Sequence, residues 1–175
     1  MNLAECLRPL WRLAECNLAR LGSPPTDTVG RTVAYRGGDA SQPQSHYEGG
    51  KYDWNDGCPI IRLLRDRVPA IDTEPDLATQ PERDACLLAH EYGHFLSDRD
   101  GSRTQALYDK LGTGAMLDRA EQGAILAEEE RAWDLGRKTV IDLGCDDLAV
   151  FDECRDRLLK TYRDGFDRMN ATSTL

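Results

Sequence analysis

Leu87-Leu88-Ala89-His90-Glu91-Tyr92-Gly93-His94-Phe95-Leu96 is the stretch from which the rest of the chain is read. It holds two of the three histidines of the sequence, four residues apart, with a glutamate directly after the first. If the run is helical, His90 and His94 stand one turn apart on one face. Two neutral imidazoles in that arrangement can share one metal ion, and Glu91 is placed to take a proton from a water that the ion activates. Leu87, Leu88, Tyr92, Gly93, Phe95 and Leu96 carry no charge, which suits a buried helix. A core helix with two satisfied histidines is the plainer alternative.

The chain around this stretch has 175 residues, enough for one domain with a real core. It is 30% charged and 40% hydrophobic, an ordinary globular composition. A net charge of -9 argues against a nucleic-acid groove, because phosphate binding needs clustered cations. No apolar run reaches the length of a membrane span. The start, Met1-Asn2-Leu3-Ala4-Glu5-Cys6, has neither a basic region nor a hydrophobic signal core. These features predict a cytoplasmic protein with no membrane and no nucleic-acid partner. Cys6, Cys16, Cys58, Cys86, Cys145 and Cys154 form no CxxC pair, so reduced, mostly buried thiols are expected rather than a disulfide framework or a structural zinc knot.

In chain order, residues 3 to 21 predict an amphipathic helix carrying Leu3, Leu7, Leu10, Ala14, Leu18 and Leu21, closed by Gly22 and Pro24-Pro25. Residues 23 to 57 are loop-rich, with a short strand at 31–35 and a long loop at 39–50 that holds His46. Residues 59 to 68 are the best strand candidate. A helix runs from Pro81 through the histidines to about Ser97, and a turn follows at 98–102. Further helices are expected at 104–111, about 117–143 and 146–168, with a disordered tail at 170–175. The whole reads as a single domain over residues 1–169.

Two histidines are not enough for a catalytic zinc, which takes three protein ligands and leaves one position open. The run Ala127-Glu128-Glu129-Glu130-Arg131-Ala132-Trp133-Asp134 offers the third. Ile125, Leu126, Ala132, Trp133 and Gly136 lie at helical offsets around Glu129 and are all apolar or small. Glu129 therefore centres a buried face, where an uncompensated carboxylate is costly and a metal would compensate it. Glu128 and Glu130 fall on the flanks as a solvated face. Glu130 is the reserve ligand, with Asp134 to support a histidine. Asp100, six residues past His94, is a further candidate that turn chemistry explains more simply.

His90-Glu91-Tyr92-Gly93-His94, followed by Glu129-Glu130-Arg131-Ala132-Trp133, resembles a zincin metallopeptidase of the gluzincin type, similar to the small ImmA/IrrE-like bacterial metallopeptidases. The resemblance implies Zn2+ held by His90, His94 and Glu129, with Glu91 as general base for peptide hydrolysis. It also implies a protein or peptide substrate, with one specific partner and a regulatory or defence role as the narrow version. The expected fold class is α+β, mostly helical: a compact zincin-like domain with an active-site helix, a glutamate-bearing helix and a small antiparallel sheet. Residues 59–68 would be the sheet edge that receives substrate. Trp133 stands where an aspartate is often found, so the histidines need another orienting group. Tyr108, His46 and the tyrosines at 35, 47 and 52 are candidates for stabilising the oxyanion. A non-catalytic, zinc-stabilised binding or regulatory module is the alternative function.

Overall fold

The computed structural model describes residues 1–19, 29–33, 50–55, 58–65, 80–99 and 104–172. Five helices carry the core: α1 (Leu3–Ala19), α2 (Gln80–Arg99), α3 (Gln105–Gly112), α4 (Arg119–Asp142) and α5 (Ala149–Thr172). Their ends follow local chemistry. At α1, Asn2 Oδ1 accepts from the Glu5 backbone and Glu5 Oε2 accepts from the Asn2 backbone, at 3.0 and 2.9 Å. Asp118 and Glu121 form the same reciprocal box at the start of α4. At the end of α4, Gly144 takes a φ of 93°, and the Cys145 amide reaches back to the Val140 carbonyl at 3.0 Å. That left-handed turn satisfies carbonyls the helix leaves open.

α2 lies at the centre, packed by α4, α1 and α5. Its buried residues, Ala85, Cys86, Leu88, Ala89, Tyr92 and Phe95, surround it on nearly every side, as expected of a helix enclosed by neighbours. α1 contributes Leu3, Cys6, Leu10, Ala14 and Leu18 at helical spacing, and its Asn17 donates to Tyr92 Oη at 2.6 Å. α5 adds Phe151 and Leu159. A smaller cluster of Leu117, Ile125 and Phe166 joins α3 to α4 and the end of α5.

The expected α+β class is corrected. Where side chains are placed, 85% of the residues are helical, and Ile61 is the single strand residue among them. The core is all-helical, because stripes on helices of 17 to 24 residues bury one another without a sheet face. Three short backbone strands are also described: β1 (Val29–Val33), β2 (Gly50–Asn55) and β3 (Cys58–Arg65), in the order β1-β3-β2. They do not form the antiparallel sheet that was expected. β1 runs parallel to β3, with Val29 opposite Ile61, and only β2 is antiparallel to it, with Tyr52 opposite Ile61. β3 overlaps the 59–68 stretch, yet it is the middle strand. Both of its edges are taken, so it cannot receive a peptide as an added strand.

The tail expectation is also corrected in part, since α5 continues through Thr172. His46, Tyr35, Tyr47 and Asp100 lie outside the described residues, and Tyr52 is described only as backbone. No described helix is long and apolar enough to cross a membrane.

Candidate metal centre

The site exists because α2 and α4 approach each other at backbone contact. A Cβ built on Gly93 of α2 would lie 1.9 Å from the Ala132 carbonyl oxygen of α4. One built on Gly136 of α4 would lie 2.4 Å from the Ala89 carbonyl oxygen of α2. Each helix thus offers a glycine to the other's backbone, one turn from an alanine, and only a missing side chain permits the approach. This contact brings the histidines of α2 against the glutamates of α4.

His90, His94 and Glu129 present one ligand atom each within 4.8 Å of one another. His90 Nε2 and His94 Nε2 lie 3.2 Å apart. Glu129 Oε2 is 3.3 Å from His90 Nε2, and its Oε1 is 3.7 Å from His94 Nε2. Donors about 2.0–2.1 Å from a tetrahedral zinc are separated from each other by about 3.3 Å. The 3.2 and 3.3 Å separations match that spacing, while the carboxylate approaches His94 through its other oxygen at the wider 3.7 Å, so the three side chains could close on one ion with a small adjustment. Glu129 and His90 are 2% and 7% exposed, and His94 is somewhat more open. Burial by itself raises the pKa of Glu129, but His90, His94 and the Tyr108 hydroxyl outweigh it and hold the carboxyl at about 2. Two nitrogens and one carboxylate oxygen, all facing inward, are a zinc donor set.

The choice among the three glutamates follows from their surroundings. Glu130 is half-exposed and pairs with Arg163 at 2.8 Å, outside the donor group. Asp134 is likewise exposed and pairs with Arg155. Glu128 does not lie on a solvated face as expected. It is buried, its Oε1 lies 3.5 Å from His94 Nδ1, and its Oε2 accepts from Ser97 Oγ at 3.0 Å. With Glu128 accepting at Nδ1, the lone pair of His94 Nε2 is left facing the cluster. Glu128 and Ser97 are thus the orienting pair that the sequence reading did not find.

His90 is oriented differently. Trp133 stacks on its ring with centroids 4.4 Å apart and planes 28° apart, and Phe151 braces Trp133 edge-on at 5.2 Å. The aromatic at this position orients the ring through a stacking surface and not through a hydrogen bond. His90 Nδ1 and Trp133 Nε1 are buried with no hydrogen-bond partner among the described residues. Each such group costs about 1–3 kcal/mol.

Tyr108 of α3 completes the site. It donates to Glu129 Oε1 at 2.6 Å and lies edge-on to His94 with centroids 6.2 Å apart. Burial and the adjacent Glu129 carboxylate push its pKa up, so it stays protonated. A phenol has one proton to donate, and Tyr108 spends it on Glu129. That removes it as the oxyanion donor in this arrangement. Lys110, two residues further along the same helix, anchors α3 to Glu121 of α4 at 2.6 Å.

Glu91 is 5% exposed, next to His90, and stands outside the three-donor group. Tyr92 and Phe95 are core residues, as expected. Cys86 faces away from the site, toward the Val150 carbonyl and Cys154 of α5. Its hydrogen bond to Cys154, and then its burial, raise its pKa, and both make it unreactive. Cys6, Cys16, Cys86, Cys145 and Cys154 are free thiols.

No protein-family model, curated protein or solved structure matches this chain.

Proposed function

We propose that this protein is a zinc-dependent metalloendopeptidase. The observation that carries the reading is the trio of His90 Nε2, His94 Nε2 and the Glu129 carboxylate, largely enclosed and converging within reach of one ion. Zinc held there would acidify a water and polarise a peptide carbonyl. Glu91, adjacent to the first histidine, would then serve as the general base for that water and as the proton donor to the departing amine. Glu128 and Trp133 hold the two imidazoles in place while this happens. The proposal concerns the reaction and its residues, and it does not depend on a zincin fold.

A narrow protein target, in a regulatory or defence role, belongs to the same proposal and rests on the sequence resemblance alone. A cytoplasmic setting also belongs to it, and the free thiols are consistent with one. A zinc-stabilised module without turnover would ordinarily have four protein ligands. Among the described residues the donor group has three, which favours an open fourth position.

The test is metal analysis with one substitution. About one zinc per chain is expected, and Glu91→Gln should abolish chelator-sensitive cleavage while retaining the metal. A folded protein that takes up no zinc would end the enzyme reading.

A further inference from the structure

We propose that Tyr108 is a positioning residue that makes Glu129 a one-oxygen ligand and so keeps the fourth metal position open. The inference rests on the metal reading above and adds to it the way the carboxylate binds.

A glutamate can hold a metal through one oxygen or through both. The two Glu129 oxygens are not equivalent. Oε2 is the nearer to an imidazole nitrogen, 3.3 Å from His90 Nε2, whereas Oε1 is 3.7 Å from His94 Nε2 and 2.6 Å from Tyr108 Oη. The hydroxyl donates to an ionised acceptor, the strong kind of hydrogen bond, and its pull on Oε1 competes with chelation. Among the described residues, Glu129 Oε1 is the acceptor that takes the Tyr108 proton.

The tyrosine is held where it is from three sides. Lys110 ties its helix to Glu121, the α4 capping box fixes Glu121, and Leu107 and Leu111 pack with Tyr108 against the cluster of Leu117, Ile125 and Phe166. The arrangement therefore belongs to the packed structure.

A carboxylate bound through both oxygens would make a fourth protein-side contact, five in all with the incoming water, and would crowd the position that substrate must share. With Oε1 retained by Tyr108, the protein supplies two nitrogens and one oxygen. That count suits four-coordinate zinc and excludes cations such as calcium, which require six to eight oxygens. Tyr108 acts on the metal only through Glu129.

Cobalt(II) substituted for zinc reports coordination number through its visible absorption. The full chain is loaded with cobalt, and the spectra of the wild type and Tyr108→Phe are compared at equal metal content. The wild type should show the intense band of four-coordinate cobalt. Tyr108→Phe should still bind about one cobalt per chain, with a weaker band of higher coordination number and an affinity altered about tenfold. Superimposable spectra at equal loading would overturn the role of Tyr108 while leaving the metal site intact. A wild type that binds neither cobalt nor zinc would overturn the metal reading and this inference with it. X-ray absorption of the zinc-loaded wild type needs no variant: four nearest N/O neighbours are expected, and five, with both carboxylate oxygens at bonding distance, would refute the proposal.

Discussion

Gly93→Ala tests the contact on which the site depends. At an exposed helical position, alanine is favoured over glycine by about 1 kcal/mol. Gly93 has no such freedom, since the new Cβ would sit 1.9 Å from the Ala132 carbonyl oxygen, roughly 1.5 Å inside an ordinary contact. The obstacle is backbone, and no side chain can turn aside. The helices must part or slide, at an overpacking cost of about 1–3 kcal/mol or more. After the helix-propensity gain, we expect a net loss of about 2 kcal/mol, roughly 30-fold in the folding constant. The separation of His90 and His94 within α2 would survive, but Glu129 would retreat from both. Zinc affinity should then fall by about 10–100-fold or more, as when a ligand's support is lost. Urea denaturation and a zinc competition titration measure the two effects. Gly123→Ala is the internal control: it is exposed on α4 with nothing within 4 Å of its Cβ, so it should gain about 0.5–1 kcal/mol and bind zinc normally. If Gly93→Ala matched Gly123→Ala in both measurements, the close approach of α2 and α4 would be wrong.

Three further expectations follow from the same geometry. Glu129→Gln should lose most zinc affinity, whereas Glu130→Gln should leave it unchanged and shift stability by no more than about 1 kcal/mol, its partner Arg163 being an exposed one; equal zinc loss in both would reassign the ligand. Glu128→Ala should weaken zinc about 10–100-fold and destabilise by about 1–3 kcal/mol through the stranded Ser97 hydroxyl, and unchanged affinity would remove it as the group that orients His94. The third concerns acid. The folded-state pKa of Glu129 is about 2, below the unfolded carboxylate value of about 4.3, so its contribution to metal-free stability is complete above the higher value and is lost as pH falls toward the lower. Denaturant titrations of metal-free protein between about pH 5 and 2 should show that loss reduced in Glu129→Gln; identical slopes would count against the ionised buried carboxylate.

The sequence made the donor set legible because it depends on local rules. Histidines four apart on a helix must share a face, and Glu129 sits among apolar neighbours at helical offsets. The residues around the donors were harder to see, for reasons that differ. Glu128 belongs to a charged triplet, and a surface face is the ordinary meaning of such a run. The buried positions of α4 actually include Gln122, Ile125, Glu128, Glu129, Ala132, Trp133 and Gly136, a spacing of three and four that widens the inward face to take in both glutamates. A helix with neighbours on several sides has such a face, and one sequence does not report how many neighbours there are. The sequence singles out Tyr108 only among the oxyanion candidates and Ser97 only as the end of a helix, because the roles they take arise from contacts between helices. Gly93 and Gly136 were visible only as small residues, and their reason is the opposite backbone. The sheet was misjudged because apolar runs such as Ile60-Ile61 establish a strand but not its partner, its direction or its place in the order.

The depth of the donor atoms has a consequence in time. Glu129 and His90 are almost wholly enclosed, and His94 is the most open of the three. An ion seated among them would be open at its fourth position, but the packed side chains that cover its other three corners must part before it can leave. Its exchange is limited by how often α3 or its neighbours open and not by bond strength alone. Adding excess chelator should therefore hasten zinc loss only up to a ceiling, beyond which the rate no longer depends on chelator concentration. That ceiling would be the opening rate of the protein itself.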